Sequence, residues 1–253
     1  MRALGGSSDW VLDNQYSVPM SLQNHSTADH SLRARSGRLL RESKPLIALE
    51  IGVAILILTA YLAGYLPFSE TPFLLLFGWL SLWFRGVGWR GVGLKRPARW
   101  GRALTLGAVA GVTYQFFGSY VLEPLIVRLT RHPVDLSQFA NLRGNVFFLL
   151  VLLALVWTFA AFGEEFVYRG YLMNRVAKLA GGGAAAWAVS LAFVSALFGV
   201  AHLYQGTSGI LVNAAAGLVY GAVYLLAGRN LWAPIIAHGV YDTVGLALLY
   251  FGY

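Results

Sequence analysis

From residue 46 onward, long apolar stretches alternate with short polar or basic connections. Seven apolar segments stand out, at roughly 46–66, 72–84, 103–122, 146–172, 184–204, 209–227 and 231–251. A helix rises about 1.5 Å per residue, so about 18 or more apolar residues cross a hydrocarbon core roughly 30 Å thick. Most of the segments meet that length, and the second is the shortest. The pattern predicts an all-α fold, a polytopic transmembrane helix bundle of about seven spans. Residues 1–44 are polar, rich in Ser and Arg, and lack the apolar run of a signal peptide. They read as a mobile basic tail ahead of one membrane domain at 45–253.

Composition agrees: 57% of the 253 residues are hydrophobic and 12% charged, against about 25% charged in soluble domains. The net charge of +8 does not argue for nucleic acid, because Lys and Arg lie between the apolar runs instead of forming one basic face. They mark topology. Arg33, Arg35, Arg38, Arg41 and Lys44 precede the first segment, and Arg85, Arg90, Lys95, Arg96, Arg99 and Arg102 separate the second from the third. The intervening turn carries only Glu70. Basic loops favour the cytoplasmic side, which predicts a multi-pass plasma-membrane protein with both clusters inside. The 123–144 connection, with Arg128, Arg131 and Arg143, then falls outside. With no cysteine, disulfides, thiolate metal sites and a Cys nucleophile are excluded.

An ionisable side chain at mid-membrane costs about 2.5–3.5 kcal/mol on insertion scales, so each needs a partner or a job. The last segments hold several: Glu164, Glu165 and Arg169 in AFGEEFVYRGYL, His202 in SALFGVAHLY, and His238 and Asp242 in APIIAHGVYDTVG. Residues four apart share a helix face, whereas neighbours are turned by about 100°. Glu165 and Arg169 therefore pair, a structural arrangement, and Glu164 points elsewhere, toward Tyr168 at most. His238 and Asp242 share a face, and Phe198 lies one turn before His202.

The Gly181–Gly183 turn predicts an antiparallel hairpin. Glu164 lies 18 residues before Gly182 and His202 lies 20 after it, so the two reach nearly the same height. Levelling them with His238 requires the hairpin to project by about 15 Å at helical rise, with Asn174, Arg175 and Lys178 on its tip. Alone, His202 reads as readily as a helix–helix hydrogen-bonding group. Glu50 reads as an interfacial or packing group and Asn213 as interhelical glue. A carboxylate, two imidazoles and an Asp on three neighbouring helices are costly to keep for packing alone.

Glu164, kept from water and paired with an imidazole, could deprotonate a water aimed at a carbonyl. His238 or Asp242 could stabilise the resulting oxyanion. An ionised Asp would oppose it, so Asp242 orients His238 or acts while protonated. The same Glu, His and Asp side chains are acceptable zinc ligands, although the HExxH spacing is absent, so zinc stays open as a cofactor.

EEFVYRG, FGVAH and HGVYD resemble, in order, the EExxxR, FxxxH and HxxxN-type motifs of the CAAX-protease and bacteriocin-processing (CPBP, Abi) family. They span residues 164–242, and LKRP before the third segment also resembles the family. The resemblance implies a glutamate-dependent intramembrane endopeptidase with its active site inside the membrane, similar to the type II CAAX prenyl endopeptidases. Glu164 would activate water, His202 would be its partner, and His238 with Asp242 would form the oxyanion side. Glu165, Arg169 and Phe198 would support them. Asp242 stands where Asn is commoner, and the CAAX enzyme has eight spans against seven counted here. The partners implied are membrane lipids and a peptide or protein substrate with a lipid anchor or transmembrane segment. No cofactor is required by the glutamate mechanism. The alternatives are a non-catalytic scaffold or immunity-type protein, a metal-dependent protease, and an ion- or proton-coupled transporter.

Overall fold

The computed structural model describes residues 43–253, a single compact unit. The expected tail at 1–44 lies, except for its last two residues, outside the described part. Ser43 caps the first helix, its Oγ accepting from the Leu46 amide at 3.4 Å, and Pro45 sits in the first turn, where its missing N–H costs nothing. The described residues form seven helical runs and no strand. They comprise α1 (Lys44–Leu62) and α2 (Thr71–Phe84), then α3 (Trp100–Phe117), which passes through a π-type turn (Gly118–Leu122) into α4 (Glu123–Thr130). The fourth run is α5 (Val146–Leu155), a long π-type stretch (Val156–Leu172) and α6 (Met173–Leu179). The bundle closes with α7 (Ala184–Ala201), α8 (Gly206–Leu226) and α9 (Trp232–Phe251).

Five runs are long and apolar enough to cross a membrane: α1, Val146–Leu179, α7, Leu203–Leu226 and α9. The protein is a multi-pass helical bundle. α2, with 14 residues, is too short by that measure, and the α3–α4 run is diluted by Gln115, Ser119 and Glu123. Large apolar side chains such as Leu56, Trp83, Phe147 and Val189 point outward, as lipid-facing helices require.

Lipid offers apolar surface no incentive to hide, so these helices associate by close backbone approach over small residues. Gly107 and Gly111 of α3 bring that helix onto α9. A Cβ at Gly107 would lie 2.6 Å from the Ala233 carbonyl oxygen, and one at Gly111 would strike the Ala237 carbonyl. Gly199 of α7 approaches Ala214 and the Ile210 carbonyl of α8 in the same way, and Gly217 approaches Ser195. The hairpin joining α6 to α7 turns at Gly181 and Gly182, with φ of 100° and 79°, a left-handed conformation that side chains resist.

The π-type run lies at the centre. Nearly every residue from Ala161 to Ala177 is buried, packed by α2, α7 and α9. Its tip differs from the sequence expectation. Arg175 is buried against α1, its Nε 3.4 Å from Glu50 Oε2, while Asn174 donates to the Gly170 carbonyl and the Tyr224 hydroxyl. Glu50 also binds Arg85 Nε at 2.7 Å and accepts from Ser81 Oγ. It is a packing group that draws Arg175 inward, so of the three polar residues expected at the tip only Lys178 is exposed. Asn213 is not interhelical glue. It donates to Gln205 Oε1 and the Gly209 carbonyl of its own helical run.

Candidate active site

The i to i+5 hydrogen bonding of a π-helix turns the chain by less than 100° per residue and recurs at functional sites. Here Val156–Leu172 carries Glu164, Glu165, Tyr168 and Arg169. Glu165 is fully buried, and its Oε1 accepts from Arg169 Nη1 at 2.6 Å and faces His238 Nδ1 at 2.9 Å. The Glu165–Arg169 pair expected from spacing is present, and it reaches across to α9. Arg169 also donates to the Gly217 carbonyl at 3.1 Å and stacks over the rings of Phe198 and Tyr220, at 4.6 and 5.3 Å. One buried guanidinium thereby ties the π-type run to α7 and α8.

That network sets the imidazoles. His238 turns Nε2 toward Asp242 Oδ2 at 3.4 Å, and its ring stacks on Tyr220 with centroids 4.7 Å apart. His202 caps the end of α7, where its Nδ1 meets the Phe198 carbonyl at 2.8 Å. A carbonyl can only accept, so Nδ1 carries the proton and Nε2 of a neutral His202 is left as an acceptor. The Phe198 ring packs against His202, Tyr168 and Arg169.

Glu164, His202, His238 and Asp242 line one cavity of about 470 Å³. Glu164 Oε2 is buried without a hydrogen-bond partner, and no direct bond joins Glu164 to His202 among the described residues. Gln115, Ser119 and Glu123 add a polar stripe at four-residue spacing from the α3–α4 run, with Gln115 Nε2 donating to Ser119 Oγ at 3.0 Å. Leu152, Val156, Leu248 and Leu249 supply apolar wall. Val134, Leu136 and Phe139 come from the 131–145 connection, which is pinned by the Asp135 amide to the Gln205 carbonyl at 3.0 Å. The Ser137 side chain and amide hold the exposed Asp135 carboxyl below its usual range.

Two contributors escaped the sequence reading. Glu70, at the start of α2, accepts from Tyr168 Oη at 2.8 Å and is buried, and Glu123 faces the cavity. A lone Glu in a short turn and one near the end of an apolar run carry no signal of a shared site. Among the described residues no group of three His, Asp or Glu side chains is placed to hold a metal ion.

Residues 146–244 match the family described as Type II CAAX prenyl endopeptidase Rce1-like. The match covers less than half of the chain and includes the π-type run, both histidines and Asp242. No curated protein and no solved structure matches the chain.

Proposed function

From a chain that carries a type II CAAX prenyl endopeptidase Rce1-like domain at 146–244, we infer an intramembrane endopeptidase in which Glu164 activates the attacking water. The observation that carries this reading is the buried, unpartnered Oε2 of Glu164 on the cavity shared with His202, His238 and Asp242. A carboxylate without a structural bond has its lone pairs available to water. Its neighbour Glu165 has one oxygen committed to Arg169 and His238, and although its Oε2 is also unpartnered, Glu165 is not among the residues lining the cavity.

In the reaction, water is held by the Glu164 carboxylate and accepted at its other proton by His202 Nε2. Glu164 takes a proton as the water oxygen bonds to the scissile carbonyl carbon, and the carbonyl oxygen becomes an oxyanion. Glu164 then delivers that proton to the leaving amine nitrogen, the C–N bond breaks, and a carboxylic acid and an amine separate. The oxyanion side falls to His238 and Asp242. His238 Nδ1 faces the acceptor Glu165, and Nε2 lies 3.4 Å from Asp242 Oδ2, so a proton on Nε2 or on the Asp242 carboxyl is the donor available there. Whichever holds it, that proton turns toward the substrate oxygen as the oxyanion forms, so Asp242 serves where the family more often has Asn. Such preorganised donors are worth about 10²–10³ in rate.

The apolar wall beside the polar stripe suits a peptide with a lipid anchor or a membrane-embedded segment. The test is comparative proteomics of membranes from cells expressing wild type or Glu164→Ala at equal abundance. Peptide termini present only with wild type support proteolysis, and identical termini favour a non-catalytic scaffold.

A further inference from the structure

A second cavity, of about 520 Å³, lies away from the candidate active site, between the start of α3 and the end of α8. Lys95, Arg96, Arg99 and Arg102 line it, and Ala103, Leu106, Leu226 and Ala227 form an apolar wall. None of the four cations has an ion-pair partner among the described residues. The loop that presents them is fastened: Asn230 Nδ2 donates to the Lys95 carbonyl at 2.9 Å and the Leu231 amide to the Gly93 carbonyl at 3.0 Å. Arg99 caps α3 without a side-chain bond to the helix amides, so the N-terminal dipole also faces this region. Trp100, next in sequence to Arg99, lies against Trp232 with ring centroids 5.3 Å apart, aromatics of the kind enriched at membrane interfaces.

We propose that this cavity binds the phosphate headgroup of an anionic phospholipid, with the cations and the α3 amides taking the phosphate and the apolar wall taking the start of an acyl chain. Four like charges drawn together without counter-charge repel one another, and a phosphate relieves that repulsion. Free inorganic phosphate shares the charge chemistry and cannot use the apolar wall. The site owes nothing to the proteolytic reading.

The experiment is native mass spectrometry of the purified full-length chain, released from mixed phosphatidylglycerol and phosphatidylcholine. Arg99→Gln/Arg102→Gln is compared with Arg128→Gln/Arg131→Gln, which removes equal charge elsewhere. Each basic side chain near a membrane surface supports anionic lipid enough that losing two weakens binding roughly thirty-fold. The expected result is one phosphatidylglycerol retained per chain by wild type and by the control pair, and lost from the pocket pair, with all three proteins eluting as the same species on gel filtration. Equal losses in the two pairs, or no preference for phosphatidylglycerol in wild type, overturn the site. Displacement of the lipid by inorganic phosphate at equal concentration overturns its assignment to lipid. If the pocket pair elutes aberrantly, Arg102→Gln alone is used, and undiminished retention there also overturns the proposal.

Discussion

Glu165 on the π-type run and His238 on α9 meet through a 2.9 Å contact between Oε1 and Nδ1. Arg169 takes the same oxygen at 2.6 Å. Glu165 thus neutralises a buried cation and leaves Nε2 as the His238 nitrogen that faces Asp242.

Removing that carboxylate strands the Arg169 charge. Glu165→Ala is expected to lose about 3–5 kcal/mol of stability, the range for breaking a buried ion pair. Glu164→Gln, which touches no structural partner, should unfold at nearly the wild-type temperature. Thermal unfolding in detergent compares the two.

Asp242 separates donor chemistry from packing. Asp242→Asn keeps a donor and should retain activity within about tenfold, whereas Asp242→Ala should lose about 10²–10³ in kcat, as loss of an oxyanion donor does. The readout is kcat on a cleaved substrate. Equal losses in both variants would point to the carboxylate charge itself.

Helix approach controls where α9 carries His238. Gly107→Ala and Gly111→Ala each place a Cβ against an α9 carbonyl and should cost about 1–3 kcal/mol, as overpacking does. Gly101→Ala, on the same helix with nothing within 4 Å, should leave the unfolding temperature unchanged.

Tyr168 and Glu70 form a buried hydrogen bond of 2.8 Å. Tyr168→Phe should cost about 1–3 kcal/mol by leaving a carboxyl oxygen unsatisfied. In Tyr168→Phe/Glu70→Leu that loss should be partly recovered, and a double-mutant cycle measures the coupling.

The bundle was legible because apolar runs and their basic connections follow directly from the cost of putting backbone and charge in lipid. Spacing alone also found the Glu165–Arg169 pair and the shared face of His238 and Asp242. Spacing could not find the Glu165–His238 contact, because interhelical pairing depends on rotation about each axis, here set by the widened π-type turn. Nor could it place Arg175, whose partner Glu50 lies 125 residues away. Glu70 and Glu123 come from helices outside the motif-bearing segment: Glu70 reaches Tyr168 from the start of α2, and the packing of Gly107 and Gly111 on α9 brings the run that carries Glu123 to the cavity.

The central claim is that Glu164 performs the chemistry while its neighbour holds the structure. Its most direct measurement is kcat of purified wild type and Glu164→Gln on a peptide found in the proteomic comparison, with unfolding temperatures determined in parallel. The account predicts a fall of about 10²–10⁴ in kcat, the usual contribution of a general base, at an unchanged unfolding temperature. Cleavage by Glu164→Gln at the wild-type rate would contradict it.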